Sequence, residues 1–351
     1  MKTIALANGR SGTRSPAAEP LLSVEGLKTY FRTGHGLLRA VDDVSFELAA
    51  GRTLGVVGES GSGKSVMARS LAGLVPEPPA IRAGGRVLFA GRDLRQLSER
   101  QLRRVRGREI AMIFQDPMTA LNPVLPIGRQ IAQVLKLHLG MTRHQAMARA
   151  QALLDSVGIP SPRQRLDEYP HQLSGGMRQR VMIALALACD PKLLIADEPT
   201  TALDVTVQAQ ILELLKQQQQ ERHMALILIT HDIGVVAGLA DDIAVMYAGR
   251  IVERAPALAL FADMRMPYTA ALFRSIPRLE NPSHTRLEAI GGMPPDMADL
   301  PAGCRFAPRC KLADMHCHAA EPPLAGDTPD HRYACWHPLH LDAEKVDAGK
   351  R

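Results

Sequence analysis

The sequence predicts an α/β fold with a parallel central sheet, an antiparallel lobe beside it and a helical insertion. Apolar segments at 53–57, 193–197 and 225–230 each have the length of a buried parallel strand. A glycine-rich loop follows the first segment and leads into a stretch compatible with a helix. Residues of about 118–172 lack strand alternation and contain Ala- and Leu-rich stretches such as His144–Ser156, which predicts helices in this region.

Shorter segments on either side of this core predict the antiparallel part. Segments 22–28, 41–48 and 86–90 are expected to form the antiparallel lobe. Segment 242–253 places apolar residues on both sides of a turn at Ala248-Gly249-Arg250, which indicates a closing hairpin. From about residue 261 proline becomes frequent, so we expect a small extension of different character at the C-terminus.

The glycine-rich loop has the pattern of a phosphate-binding loop. Its glycines allow successive backbone N–H groups to turn toward a β-phosphate, and the helix N-terminus adds partial positive charge. Lys64 can reach the β- and γ-phosphates, and the Ser65 hydroxyl can ligate Mg²⁺. The loop therefore predicts binding of ATP or GTP. Its candidate residues are Gly58, Glu59, Ser60, Gly61, Ser62, Gly63, Lys64, Ser65 and Val66.

A pair of carboxylates ends the apolar segment 193–197. In a parallel sheet this position is the C-terminal edge of a strand, where ligands bind. We expect Asp197 to hold Mg²⁺, directly or through water. Glu198 is expected to polarise the water that attacks a γ-phosphate. With the phosphate loop, these two acids predict a nucleotide-hydrolysing site.

A third motif, Leu173-Ser174-Gly175-Gly176-Met177, precedes an apolar helical stretch. It resembles the signature of ATP-binding cassette (ABC) ATPases, whose usual form is Leu-Ser-Gly-Gly-Gln, with Met177 in the last position. In that family the signature of one subunit binds the γ-phosphate held by the other subunit. A helix that starts at Ser-Gly-Gly offers free N–H donors to an anion. The resemblance therefore implies a head-to-tail dimer in which Ser174, Gly175 and Gly176 bind the partner's nucleotide.

The resemblance also implies roles for residues outside these motifs. Gln115 corresponds to the glutamine loop, which senses Mg²⁺ and the water and contacts the membrane partner. His231, after the apolar segment 225–230, corresponds to the switch histidine that contacts the γ-phosphate. Asp204, in Ala202-Leu203-Asp204, corresponds to the D-loop between the two sites of the dimer. An aromatic residue upstream of the loop usually stacks on adenine, and Phe31 fits best, with Tyr30 beside it.

The fold implied by the resemblance is a P-loop NTPase core of the ABC type. It comprises an antiparallel β lobe, an inserted helical subdomain at about 118–180 and a small Cys- and Pro-rich C-terminal extension. The expected divisions are a disordered lead-in at 1–20, an ABC nucleotide-binding domain at 21–260 and the extension at 261–351.

Composition narrows the function classes. No apolar run approaches the roughly 20 residues of a membrane-spanning helix, and the N-terminus does not have the pattern of a signal peptide, so we expect a cytosolic chain. Seven arginines and three acids lie between Arg92 and Glu109, where interleaved Leu and Val residues predict an amphipathic helix. Its basic face is expected to be solvated, with contact to lipid headgroups or a partner as the alternative. No aromatic residue accompanies this basic stretch, which argues against nucleic acid as a partner.

Four of the five cysteines lie in the last 50 residues, at Cys304, Cys310, Cys317 and Cys335. Cys189 falls in the apolar signature helix and is expected to be a core residue. A cytosolic location argues against two disulfides, and gaps of five, six and 17 residues differ from the close pairs of common zinc sites. Thiolates suit zinc or an iron–sulfur cluster, and free thiols remain a further alternative.

The tail resembles the C-terminal extension of dipeptide and oligopeptide importer ATPases. Gly303-Cys304-Arg305-Phe306-Ala307-Pro308-Arg309-Cys310 is similar to that extension, in which some members bind a [4Fe–4S] cluster through four such cysteines. Its usual start, His-Pro-Tyr-Thr, is Met266-Pro267-Tyr268-Thr269 here. The resemblance thus implies a [4Fe–4S] cluster on the four tail cysteines, with zinc as the alternative.

As a whole, the resemblance implies the ATPase subunit of a bacterial ABC importer of dipeptides or oligopeptides. Its partners would be two membrane-spanning permease subunits, a second ABC ATPase that is commonly a distinct paralogue, and, through the permease, a periplasmic substrate-binding protein. The chain would lie on the cytoplasmic side of the inner membrane. Nickel, glutathione or another solute are alternative cargoes, because the ATPase does not touch cargo.

Two alternatives come from other functional classes. A soluble ABC ATPase of translation or DNA repair would be expected to carry two cassettes or a long coiled-coil insertion, and the sequence has neither. A nucleotide-dependent scaffold without hydrolysis is disfavoured by the presence of both Glu198 and His231.

Overall fold

The computed structural model describes residues 19–34, 36–201, 203–275 and 290–339. The expected lead-in at 1–20 lies outside the described residues, except for its last two. The strands are β1 (Leu22–Thr33), β2 (Gly36–Leu48), β3 (Thr53–Val57), β4 (Ala80–Phe89), β5 (Arg92–Asp93), β6 (Ile110–Ile113), β7 (Leu193–Asp197), β8 (Ala225–Ile229), β9 (Asp242–Tyr247), β10 (Arg250–Pro256), β11 (Ala325–Thr328) and β12 (His331–Tyr333).

The helices lie between and beyond these strands. The α-helices are α1 (Lys64–Leu71), α2 (Glu99–Val105), α3 (Pro117–Ala120), α4 (Ile127–Leu139), α5 (Arg143–Ser156), α6 (Pro162–Arg165), α7 (Gly175–Ala186), α8 (Val205–Arg222), α9 (Ile233–Ala237), α10 (Ala257–Ala262), α11 (Pro267–Arg274) and α12 (Met315–Ala319). Short 3₁₀ helices occur at Leu94–Gln96, Pro170–Gln172 and Ala307–Arg309. In the described part of the chain, no helix is both long and apolar enough to span a bilayer.

The strands form two sheets, as the sequence predicts. A four-stranded antiparallel sheet has the order β2-β1-β4-β5, and an eight-stranded sheet has the order β11-β12-β10-β9-β3-β8-β7-β6. In the larger sheet β9, β3, β8, β7 and β6 run parallel. Every residue of β3, β7 and β8 is buried, which is typical of parallel strands covered on both faces.

The helical insertion packs as one body. Helices α3 to α7 follow one another between β6 and β7, and the described residues of this interval contain no strand. Residues of α4, α5 and α7, such as Ile131, Leu154 and Ile183, share one hydrophobic core with the inner strands of the sheet. This arrangement confirms the predicted α/β fold with its helical insertion and antiparallel lobe.

One local prediction was wrong. The basic stretch from Arg92 to Glu109 is not one amphipathic helix, because β5 and a 3₁₀ turn occupy its first residues. Asp93 accepts a hydrogen bond from the backbone N–H of Arg95 and so caps the turn. Helix α2 starts only after Ser98, which forms a capping box with Gln101. The interleaved apolar side chains do face the core, as expected.

The tail is part of the central sheet. Strand β12 pairs antiparallel with β10, and β11 pairs with β12 at the sheet edge. Tyr268 and Phe306 of the tail belong to the same hydrophobic core as Val57, the last residue of β3. The strand that leads into the phosphate loop therefore packs against the C-terminal extension.

Candidate active site

The loop between β3 and α1 has a backbone that glycine alone can adopt at its two ends. Gly58 and Gly63 have φ of 151° and 100°. A Cβ atom at Gly58 would lie 2.2 Å from the carbonyl oxygen of Met246, and one at Gly63 would lie 2.1 Å from that of Ala40. Gly63 is the N-cap of α1, and no side chain caps this helix. The first N–H groups of α1 are thus left for a ligand, as phosphate binding requires.

Lys64 is directed into this loop. Its side chain is almost wholly buried, and its Nζ donates hydrogen bonds to the carbonyl oxygens of Gly58 and Glu59, at 2.8 and 2.9 Å. Burial lowers the pKa of Lys64, and the negative charges of Glu198, Asp197 and Glu59 oppose that shift. The nearby acids favour the charged form of the amine, and an ammonium group at this position can pair with a phosphate that enters the loop.

Ser65 and Asp197 form the most direct link between the loop and the end of β7. The Ser65 hydroxyl donates to Asp197 Oδ1 at 2.8 Å. Asp197 is fully buried, and its Oδ2 has no hydrogen-bond partner. Burial raises the pKa of this carboxyl group, whereas the Ser65 hydrogen bond and Arg69 lower it. A hydroxyl and a carboxylate oxygen with unused acceptor capacity are the hard ligands that Mg²⁺ takes, so these residues fit a magnesium site.

Glu198 lies one residue further on, in a strained conformation with φ of 48°. Its Oε2 accepts hydrogen bonds from Gln115 Nε2 at 2.9 Å and from the Thr201 hydroxyl at 3.0 Å. His231 Nδ1 lies 3.7 Å from the same oxygen. The structure thus brings together Gln115, Glu198 and His231, which come from three separate segments of the sequence. Thr201 was missed by sequence reasoning, and its hydroxyl three residues after Glu198 was the available signal.

The backbone explains why His231 comes so close. The N–H of Glu198 donates to the carbonyl oxygen of Ile229, at 2.9 Å, so the ends of β7 and β8 are joined. His231 follows two residues after Ile229, and its side chain is 64% exposed. The imidazole is therefore beside Glu198 and open to a substrate from the solvent side.

The signature residues lie apart from this cluster. Ser174 caps α7 by accepting a hydrogen bond from the N–H of Met177, and Ser174 and Gly175 are exposed. Asp204 caps α8 in the same way, through the N–H of Val207 at 2.9 Å. A Cβ at Gly176 would lie 2.9 Å from Val207 Cγ1, so the two helix starts adjoin each other. Between described residues, no hydrogen bond or ion pair joins the signature to the phosphate loop.

The two aromatic candidates differ in their surroundings. The Tyr30 hydroxyl donates to Asp42 Oδ1 at 2.5 Å, and burial together with that bond raises the pKa of Tyr30 to about 12. Phe31 pairs with Leu38 of β2, two residues before Ala40, whose carbonyl oxygen adjoins Gly63. Neighbouring residues of a strand point to opposite faces, so only one of the two can face the loop. The engagement of Tyr30 by Asp42 leaves Phe31 as the better candidate.

The four tail cysteines line a common cavity. Cys304, Cys310, Cys317 and Cys335 surround it together with Met266, Phe306 and Trp336. None of them is in a disulfide. Burial, together with the neighbouring thiols, raises the pKa of Cys335 to about 12. Cys189 is buried in the core around α7, away from this cavity.

Comparison with known proteins places this site in a family. The family model described as ABC transporter matches residues 41–201, and the model described as oligopeptide/dipeptide transporter, C-terminal region, matches residues 252–317. The oligopeptide transport ATP-binding protein OppD of Bacillus subtilis (strain 168) is 50% identical over 327 residues, which are 93% of this chain and 91% of that protein. OppD of Salmonella typhimurium (strain LT2) is 49% identical over 332 residues, 94% of this chain and 98% of the relative.

Solved structures agree with this relation. The ATP-binding cassette MJ0796, solved as a dimer bound to ADP and Pi, has a TM-score of 0.61 at 26% identity and covers 67% of this chain and 98% of its own. CbiO1 of Clostridium perfringens, part of the ABC transporter complex cbiONQ, has a TM-score of 0.59 at 28% identity. The match covers 70% of this chain and 92% of CbiO1. The chain belongs to the ABC ATPases, in the family of dipeptide/oligopeptide importer subunits.

Proposed function

We propose that this protein is the ATP-hydrolysing subunit of a bacterial importer of dipeptides or oligopeptides. The names of its relatives, oligopeptide transport ATP-binding proteins, support the cargo class. The arrangement around Glu198 supports hydrolysis. Its carboxylate is held by Gln115 and lies beside the exposed His231, and the preceding residue, Asp197, forms a candidate magnesium site with Ser65. This convergence is the single observation that carries the proposal.

The residues of the site divide the work of hydrolysis. Gly58 to Val66 hold the phosphates through backbone N–H groups, with Lys64 as the cation. Phe31, or Tyr30 beside it, stacks on the adenine. Glu198 accepts a proton from, or orients, the attacking water, since its Oε2 is fixed by Gln115 and Thr201. His231, 3.7 Å from that oxygen, is placed to contact the γ-phosphate.

Magnesium has a defined place in this proposal. Ser65, Asp197 and Gln115 would hold it; Ser65 and Asp197 are hydrogen-bonded to each other, and Gln115 is hydrogen-bonded to the adjacent Glu198. Bound there, Mg²⁺ neutralises charge that develops on the β- and γ-phosphates. Because Asp197 Oδ2 is buried without a partner, a cation nearby would remove the cost of an unsatisfied carboxylate oxygen.

A second ATPase subunit would complete each site. Ser174, Gly175 and Gly176 are exposed or half-exposed at the start of a helix, which is suitable for binding a phosphate held by another chain. Asp204 stands at the neighbouring helix start, where a dimer contact would pass between the two sites. The dimeric form of the related cassette MJ0796 supports this assembly.

The rest of the assembly follows from the same proposal. Two permease subunits would span the membrane, a substrate-binding protein would deliver peptide from the periplasm, and the second ATPase would be a distinct paralogue. The protein would act on the cytoplasmic side of the inner membrane. We propose domain limits of 21–260 for the nucleotide-binding domain, with the helical subdomain at about 118–180, and 261–351 for the extension. The two family-model matches, 41–201 and 252–317, support this division.

The experiment that tests hydrolysis is Glu198→Gln in the full-length protein. The change keeps the size of the side chain and removes its charge, so ATP turnover should fall about 10²-fold or more while ATP binding persists. Glu213→Gln is the matched control, because Glu213 is an exposed acid on α8 away from the site. Turnover of Glu198→Gln close to that of Glu213→Gln would assign the catalytic role to another group.

For the tail, the proposal includes a [4Fe–4S] cluster on Cys304, Cys310, Cys317 and Cys335. The convergence of four thiols on one cavity supports it. In the described residues, the only set of three or more potential ligand atoms within 4.8 Å of one another is that of Asp314, Cys317 and His337. A tetrahedral zinc ion with bonds of about 2.3 Å requires its four sulfurs to be closer than that. In a [4Fe–4S] cluster each thiolate binds its own iron, so the four sulfurs need not lie within 4.8 Å of one another.

Anaerobic purification separates the two metals. The cluster predicts a brown protein with about four iron and four sulfide per chain, and Cys→Ser at any of the four tail positions should remove the colour. Cys189→Ser is the control and should keep it. A colourless protein with one zinc would replace iron by zinc, and zinc lost only in Cys317→Ser would assign it to Asp314, Cys317 and His337. Four titratable thiols without metal would contradict both alternatives.

A further inference from the structure

The segment between the first two tail cysteines lies directly on the phosphate loop. Arg309 Nη1 donates to Glu59 Oε2 at 2.7 Å, and its Nη2 donates to Glu59 Oε1 at 2.9 Å. This bidentate ion pair joins the second residue of the loop to a residue 250 positions later. The Arg309 side chain is 3% exposed and that of Glu59 is 23% exposed, so solvent screens the pair only weakly.

Other groups of the tail fix the direction of Arg309. Its Nε donates to the carbonyl oxygen of Gly291 at 2.9 Å, and Nη1 also donates to the Tyr247 hydroxyl at 3.3 Å. The guanidinium lies 5.9 Å from the centres of the Tyr247 and Phe306 rings. The hydrogen bonds to Glu59 raise the pKa of Arg309 above its usual range. The guanidinium therefore meets Glu59 in an orientation that the extension sets.

A second contact holds the backbone of the same loop residue. The N–H of Glu59 donates to the hydroxyl of Tyr268 at 2.9 Å. Tyr268 is fully buried near the start of α11, against the rings of Tyr247 and Phe306. Both the side chain and the backbone of Glu59 are thus bound by residues of the extension.

The other end of the cysteine segment reaches the far side of the loop. Arg305 is buried, and its Nη1 donates to the carbonyl oxygen of Ala248 at 2.5 Å. The next residue, Gly249, donates its N–H to the carbonyl oxygen of Ser62 at 2.9 Å. The phosphate loop is therefore held at Glu59 through Arg309 and at Ser62 through the turn that Arg305 binds.

Both arginines are neighbours of cysteines. Arg305 follows Cys304, and Arg309 precedes Cys310 as the last residue of the 3₁₀ helix Ala307–Arg309. The N–H of Cys304 donates to the carbonyl oxygen of Cys317 at 2.8 Å, so the segment is also tied to the third cysteine. A change in the positions of these cysteines would consequently displace Arg305 and Arg309, which contact the loop and the turn beside it.

We propose that the segment Cys304–Cys310 is a positioning element for the phosphate loop, so that the state of the four-cysteine cavity sets the affinity for nucleotide. Arg309 neutralises the carboxylate of Glu59, which otherwise repels the phosphates, and with Tyr268 it holds the loop in its binding shape. Arg305 secures the opposite side. The inference rests on the proposed nucleotide-binding function and adds the tail as its determinant.

Equilibrium binding of N-methylanthraniloyl-ADP to the full-length protein tests this inference without hydrolysis. Arg309→Ala should raise the Kd about 10-fold, because it leaves an unpaired carboxylate beside the phosphate site. The double variant Arg309→Ala/Glu59→Gln should bind more tightly than Arg309→Ala alone, since the repelling charge is gone. Arg332→Ala, an exposed arginine of β12, is the matched control and should bind like the wild type.

The link to the cysteines has its own readout. Cys304→Ala should raise the Kd in the wild-type background and add little in the Arg309→Ala background, because both changes act through the same contact. Hydrogen exchange at the Glu59 amide, which donates to Tyr268, should become faster in Arg309→Ala and in Cys304→Ala.

The outcomes separate this inference from the function on which it rests. A Kd of Arg309→Ala within about twofold of the wild type, or a double variant no tighter than the single one, would overturn the inference and leave the ATPase proposal intact. If Arg309→Ala does not fold, Tyr268→Phe tests the backbone contact, and an unchanged exchange rate at Glu59 would then overturn the inference. Wild-type protein that does not bind the probe would contradict the proposed function itself.

Discussion

Removal of Arg305 should destabilise the whole protein, because its partner Asp42 is buried. The Arg305 guanidinium donates to Asp42, to the carbonyl oxygen of Ala248 and to Glu321. Arg305 and Asp42 are each 5% exposed. The Tyr30 hydroxyl and Arg250 also bind Asp42. In Arg305→Ala this carboxylate would stay buried with only the latter two partners.

The structure sets the size of the effect. Burial would raise the pKa of Asp42, but the hydrogen bonds from Tyr30 and Arg305 and the charges of Arg305 and Arg250 outweigh it and hold the pKa at about 2. A shift of nearly two units from 3.8 corresponds to ~2.5 kcal/mol. Arg305 supplies part of this free energy, and Arg305→Ala also removes the hydrogen bonds to Ala248 and Glu321. We expect the free energy of unfolding to fall by about 3 kcal/mol at pH 7, within the usual range for a broken buried pair.

Thermal and urea unfolding followed by circular dichroism measure this change. Arg305→Ala should have a Tm lower by roughly 5 °C, whereas Arg332→Ala should stay within about 1 °C of the wild type. Since the folded pKa of Asp42 is depressed, its contribution is full above about pH 4 and is lost as the pH falls toward 2. The difference in the free energy of unfolding between wild type and Arg305→Ala should therefore become smaller as the pH falls from about 4 toward 2. A difference below about 0.5 kcal/mol at pH 7 would refute this account of the pair.

Two further predictions concern the nucleotide site. Lys64→Ala should weaken ATP binding more than 10-fold in calorimetric titration, because it removes the cation inside the loop; unchanged affinity would show that the backbone alone binds the phosphates. Ser174→Arg should leave ATP binding intact and abolish hydrolysis in the assembled transporter, since the long side chain fills the space of the partner's γ-phosphate. Normal hydrolysis by that variant would contradict the head-to-tail dimer.

Much of the fold could be predicted because its signals are local. The buried strands β3, β7 and β8 are continuous apolar segments, and the loop after β3 has spacing that few other structures require. The error at Arg92–Glu109 has the same origin, because helical spacing of apolar residues competes there with the capping preferences of Asp93 and Ser98.

The candidate site was predictable only as a set of separate motifs. Gln115, Glu198 and His231 could be named from the sequence, but their convergence on one carboxylate oxygen depends on the order of β6, β7 and β8 in the sheet. Thr201 is marked in the sequence only by its position three residues after Glu198, and its hydrogen bond to Glu198 became visible only in the structure.

The contacts of the tail were beyond sequence reasoning for a physical reason. Arg309 and Glu59 are single charged residues in a chain with 42 basic and 36 acidic side chains, and nothing local marks them as partners. Proline and cysteine enrichment predicted an appended extension. The pairing of β12 with β10 and the packing of Tyr268 against Tyr247 instead make it part of the nucleotide-binding core.

The most direct test of the central proposal is peptide uptake by the reconstituted importer. Proteoliposomes would contain this subunit, its partner ATPase and the permease, with the cognate binding protein loaded with a radiolabelled peptide. The proposal predicts ATP-dependent accumulation with the wild type and with Glu213→Gln, and a rate lower by about 10²-fold or more with Glu198→Gln. Uptake by Glu198→Gln at the wild-type rate, or no ATP-dependent uptake of any peptide by the wild-type assembly, would contradict it.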